Sequence, residues 1–135
     1  MNNKTIELDF SQAINEAAKT NVIAKLFEFQ NQFKIFHWQT YSFAQHKAFG
    51  NLYDDLADTI DTFVESYQGV YGRMDFGGMT FSFSNLSSSD FSACLQEIVM
   101  DVSQWERYFS NTDLLNIRDE ILGSLNQTAY LLTKL

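Results

Sequence analysis

With 135 residues, 45% of them hydrophobic and 16% aromatic, the chain has the length of one domain and enough apolar material for a core, which excludes intrinsic disorder. A formal charge of −8, with nine basic residues scattered from Lys4 to Lys134, excludes direct nucleic-acid binding, whose affinity rests on Lys and Arg displacing counterions. One cysteine, Cys94, and no apolar run near the ~18 residues of a membrane span exclude a disulfide framework and a membrane protein, and place the chain in the cytoplasm.

The polar start MNNKTIELDF has no signal-peptide core. There is no proline, so helices run until a glycine or a cap stops them. A capping signal at Asp9 to Gln12 opens a first helix over about 10–39, with Val22, Leu26, Phe29, Phe33 and Phe36 recurring at steps of four and three. A second helix follows after a short connection. It carries Phe49, Leu52, Leu56, Ile60, Phe63 and Tyr67 and ends near Gly69 or Gly72, making an antiparallel hairpin with the first.

The segment 69–89 has no helical period and is long enough to travel back along a bundle; Met79, Phe81 and Phe83 mark it as packed against the helices. After the capping cluster SSSD, a third helix buries Phe91, Leu95, Ile98, Val102, Trp105 and Phe109. A fourth follows almost at once, with Leu115, Leu122, Leu125, Ala129 and Leu132 on one side. The expected fold is all-α: residues 1–135 as a single ferritin-like, up-down-down-up four-helix bundle with its long crossover between helices 2 and 3.

Asp54, Asp58, Asp61 and Glu65 lie along one stripe of the second helix, and with Asp55 they make five acids with no Lys or Arg between residues 50 and 68. Repulsion along such a stripe costs about 1 kcal/mol in water, so a solvated edge accounts for it as well as a metal does. His46 stands 15 residues before Asp61, about 22 Å along the helix, so the two cannot share a metal within one chain. Two copies pairing their second helices antiparallel would bring His46 of each to Asp61 and Glu65 of the other. With His37 added, the set is two imidazoles and two carboxylates, suited to Fe(II) or Zn(II).

The stretch FKIFHWQTYSFAQHKAFGNLYDDLADTIDTFVE resembles the Dps miniferritins, the iron-oxidising branch of the ferritin superfamily. The resemblance implies that His37, His46, Asp61 and Glu65 are metal ligands and that Trp38 is the catalytic-site tryptophan beside the iron. It implies ferroxidase activity at an intersubunit site in a homodimer or larger homo-oligomer. Gly50 stands where the family carries an acid four residues after its second histidine, and the interval from His37 to His46 is shorter than the family's. The stretch running on to Tyr71-Gly72-Arg73 is also similar to small uncharacterised proteins of large tailed cyanobacterial phages, which implies a host-cell cytoplasm.

The rival expectation is a non-enzymatic bundle in which the acidic stripe and the Phe-rich crossover recognise a protein partner. Neither histidine is preceded by the glutamate of a Glu-x-x-His pair, so Glu28, Glu97 and Asp101 read as surface acids. Cys94 falls at an apolar position, and Gly77-Gly78 lacks the context of a phosphate loop.

Overall fold

The computed structural model describes the backbone of residues 3–134 and the side chains of residues 15–134. The described residues form four α-helices and no strand: α1 (Asn3–Gln39), α2 (Phe43–Tyr71), α3 (Phe91–Ser103) and α4 (Thr112–Leu131). None of these helices is long and apolar enough to cross a membrane. Helix α1 starts well before the expected residue 10, because nothing between Asn3 and Gln12 breaks a helix. Asp9 to Gln12 therefore lie inside it, and their side chains fall outside the described residues.

Contacts fix the helix directions. Gln30 Nε2 donates to the Tyr53 carbonyl, Phe33 meets Phe49 with ring centroids 5.2 Å apart, and the Tyr67 hydroxyl donates to Glu16, so α1 and α2 are antiparallel. Phe49 also meets Phe91 at 5.4 Å, which puts the starts of α2 and α3 at one end. The Tyr71 hydroxyl donates to Asn111 at 2.8 Å, joining the end of α2 to the start of α4. The order is up-down-down-up, with the crossover returning the chain between α2 and α3, as expected.

The crossover is held by the side chains of α1. Glu28 accepts the Ser82 N–H, Gln32 both accepts the Ser84 N–H and donates to the Ser84 carbonyl, and Gln39 accepts the Leu86 N–H. Four residues of helix rise ~6 Å and two residues of extended chain rise about 6.6 Å, so Glu28 and Gln32 match Ser82 and Ser84 in register. This polar ladder satisfies backbone groups that would otherwise press unpaired on the helix.

The expected core faces of α1 and α2 are the buried ones: Leu26, Phe29, Phe33 and Phe36 against Phe49, Leu52, Leu56, Ile60, Phe63 and Tyr67. Val22 is half-buried and Ile23 is buried beside it. The third helix stops at Ser103, and Trp105–Arg107 forms a 3₁₀ turn that carries Trp105 and Phe109 into the core. Arg118 secures this corner, donating to Glu106 at 2.6 Å and reaching the Val102 and Ser103 carbonyls; its guanidinium holds the Glu106 carboxyl below the usual carboxylate range. On α4 Leu125 and the capping Leu132 are buried as expected, while the rest of the face turns by one position. The helix buries Leu114, Ile121, Leu125, Thr128 and Leu132, leaving Leu115 and Leu122 half-buried and Ala129 exposed, because the Leu114-Leu115 and Ile121-Leu122 pairs offer two apolar registers.

Tyr67 is 1% exposed, and burial first, then its hydrogen bond to Glu16, raises its pKa well above the ordinary 10.0. Burial, aided by Glu97 and Glu28, raises Cys94 from 9.0 to about 11. Both groups are held protonated in the fold, so their stabilisation is complete below the unfolded values and is lost as pH rises through the folded ones. The melting temperature should therefore fall above pH ~9. Cys94→Ala should flatten the decline between about 9 and 11, and Tyr67→Phe the part beyond 10; thermal melts at pH 8 to 11.5 test both.

Candidate functional site

The turn between α1 and α2 brings the two histidines together. Ser42 caps α2 by accepting the Gln45 N–H, while the Thr40 hydroxyl donates to the Gln45 side chain. Ser42 and Gln45 carry the spacing of a capping box, a signal in the sequence that fixes where α2 begins. With so short a turn, residues whose numbers sum to about 83 face one another across the hairpin, as Gln30 and Tyr53 do, and so do His37 and His46.

The two imidazoles stack with centroids 3.8 Å apart and planes 17° from parallel. Nδ1 of His37 lies 2.6 Å from the His46 carbonyl, and Nδ1 of His46 lies 2.9 Å from the His37 carbonyl. A carbonyl accepts only, so each Nδ1 carries the hydrogen and donates, which leaves Nε2 as the ring nitrogen outside the clasp. The pair is a reciprocal clasp that closes the hairpin on itself.

Gly50 makes room for the clasp. A Cβ at this position would stand 2.8 Å from both Cε1 and Nδ1 of His37, closer than carbon and nitrogen atoms approach. Gly50 is thus the floor on which the His37 ring lies.

The carboxylates sit elsewhere. Asp54, Asp55, Asp58, Asp61 and Glu65 are exposed along α2, and none forms an ion pair with a described residue. Asp61 lies about 22 Å along the helix from His46. Among the described residues, no group of three or more His, Cys, Asp or Glu side chains gathers to hold a metal. The stacked rings keep their Nε2 lone pairs in nearly parallel planes, which do not converge on one ion ~2.1 Å from each nitrogen. In one chain, His37 and His46 meet each other and not Asp61 or Glu65.

Trp38 is 69% exposed. It lines a shallow groove of about 350 Å³ with Phe27, Asn31, Ile35, Phe81 and Phe83. Phe27 and Phe81 meet edge to face at 5.6 Å, and both remain about four-tenths exposed, as does Phe83. Tyr41, fully exposed, extends this side of the molecule past Trp38. The crossover phenylalanines do pack on α1, as expected, but as the wall of an open groove. The run of polar α1 residues Glu28, Gln32 and Gln39 at one helical edge was the available signal that an extended segment would lie there.

The profile described as "Family of unknown function (DUF5856)" matches residues 37–132, which include both histidines, Gly50 and the acidic stripe. An "Uncharacterized 14.6 kDa protein in mobD-ri intergenic region" of Enterobacteria phage T4 is 37% identical over 65 residues. That match covers 48% of this chain and 51% of the phage protein, so the chain spans about half the length of the curated relative it matches. No solved structure matches the chain.

Proposed function

We propose that this chain, which belongs to that family, acts as a non-enzymatic interaction bundle that presents the groove between α1 and the crossover to a protein surface. The observation that carries this reading is the exposure of Phe27, Trp38, Tyr41, Phe81 and Phe83 on one side of a bundle whose core is complete without them. Contiguous exposed aromatic surface of this kind is costly in water and is typical of interface centres. The phage T4 relative supports a role in an infected cell. In this reading the histidine clasp is architecture that holds the hairpin.

A photo-crosslinking residue at Phe83, activated in cells that express the chain, tests this. A discrete protein adduct is expected, reduced at least about fivefold by Trp38→Ser with the helical circular dichroism unchanged. An absent adduct, or one indifferent to Trp38, overturns the reading.

A second reading keeps the divergent, Dps-like miniferritin: His37 and His46 of one chain with Asp61 and Glu65 of another would hold Fe(II), or Zn(II), with Trp38 nearby. It is favoured by the Nδ1 anchoring of both rings, since a histidine that donates Nδ1–H to a carbonyl presents Nε2 to a metal. It requires a second copy and an unstacking of the rings. Anaerobic titration with Fe(II) should then show saturable binding, lost in both His46→Ala and Asp61→Ala; binding unchanged in both variants removes this reading.

A further inference from the structure

We infer that the occupant of the aromatic groove is a second copy of this chain, packed antiparallel along α1 about a two-fold axis through Asn31. The inference rests on the interaction reading above and names its partner.

Area is the first argument. Phe27, Phe81 and Phe83 are 45%, 40% and 45% exposed, Trp38 69% and Tyr41 106%. At ~200 Å² per aromatic side chain, these five expose roughly 600 Å². A stable interface of standard size buries about 800 Å² per partner, so the five rings supply most of one side before Ile35 and the neighbouring stems are counted.

Charge is the second. A two-fold interface pairs residue i with j and j with i, so a self-complementary surface carries opposite charges at equal distances from the axis. Asn31 lies half-buried on the edge of α1 that lines the groove, with Glu28 three positions before it and Lys34 three after, both half-buried on the same lining. An antiparallel copy centred there sets each Glu28 against Lys34 of the other chain, twice over, and each Phe27 against Ile35. The groove carries one charge of each sign, so it selects neither a basic nor an acidic partner. The α2 face does the opposite: paired with itself antiparallel, it would oppose five acids to five with no base between residues 50 and 68. Pairing along α1 differs from the α2–α2 pairing that the sequence suggested.

The test is made on the full chain. Light scattering across a dilution series should give a dimer, and Phe27→Glu should give a monomer with unchanged helical circular dichroism. Glu28→Lys and Lys34→Glu should each weaken dimerisation at least about tenfold, and the double swap should restore it to within about threefold. Because Glu28→Lys also removes the acceptor for the Ser82 N–H, a second measurement avoids that residue. With Cys94→Ala as background, Asn31→Cys should oxidise to a disulfide-linked dimer, while Gln96→Cys on the exposed side of α3 should not. A monomer at several hundred micromolar, a double swap no better than the singles, or equal crosslinking at Asn31 and Gln96 overturns the inference. The interaction reading is separable from it: a Phe83 adduct to a different protein leaves that reading standing and removes the second copy.

Discussion

Trp105→Ala should lower stability by about 3–5 kcal/mol, read as a shift of the urea midpoint. Trp105 is 0% exposed and sits where α3 gives way to a 3₁₀ turn, with Phe63 at 4.9 Å and Phe109 at 5.7 Å between ring centroids. Removing the indole takes away the transfer energy of a large side chain and leaves a cavity between α2 and the corner, which the rings on either side fill poorly. Single domains are commonly stable by only about 5–15 kcal/mol, so the substitution removes a large share of the total.

Trp105→Phe separates packing from polarity. Nε1 of Trp105 is buried without a hydrogen-bond partner among the described residues. An unpaired buried N–H costs about 1–3 kcal/mol, and phenylalanine removes that cost while losing part of the ring volume. The two changes oppose one another, so Trp105→Phe should lie within about 1–2 kcal/mol of the natural chain. A Phe variant as damaged as the Ala variant would mean that the indole N–H is paired, most simply to a water molecule.

The same corner shows how far the sequence could be read. The steps from Leu95 through Ile98, Val102 and Trp105 to Phe109 predict correctly that all five are buried, because periodicity reports burial. They do not report that the helix ends at Ser103, since a 3₁₀ turn preserves nearly the same spacing of side chains. On α4 the doubled apolar pairs made two faces equally good, and packing against α2 and α3 chose between them. The hairpin was legible because α2 carries one unbroken apolar stripe with polar residues on its other side.

The histidine site was legible as a constellation and not as a geometry. Residue types and intervals place His37 and His46 at the two ends of a short turn, but whether imidazoles converge on an ion or stack depends on angles that spacing does not carry. Gly50 was the decisive residue: in sequence it is a glycine early in a helix, and in the fold it is the space beneath the His37 ring. The groove was less legible still. Phe27 and Trp38 lie on α1 while Phe81 and Phe83 lie on the crossover about fifty residues later, and an isolated exposed aromatic carries no message until the fold sets it beside the others.

Gly50→Ala should destabilise the chain by about 1–3 kcal/mol, although helix propensity alone argues for a gain. Gly50 lies inside α2, where alanine is intrinsically better by up to ~1 kcal/mol. Against this, the new methyl group would stand 2.8 Å from the His37 ring, which is fixed by stacking on His46 and by the hydrogen bond from its Nδ1 to the His46 carbonyl. The ring must leave its place, and each hydrogen bond of the clasp is worth about 1 kcal/mol. Gly69→Ala, on the same helix with nothing within 4 Å of the new Cβ, gives the propensity gain without the clash and should stabilise. In a His37→Ala background the cost of Gly50→Ala should disappear, since the two substitutions act on one contact. Gly50→Glu should be worse than alanine for the same reason: a longer side chain can occupy this turn of α2 only after the clasp has opened. If Gly50→Ala and Gly69→Ala stabilise equally, His37 is free to move, and the histidines are available to a metal without any cost to the hairpin.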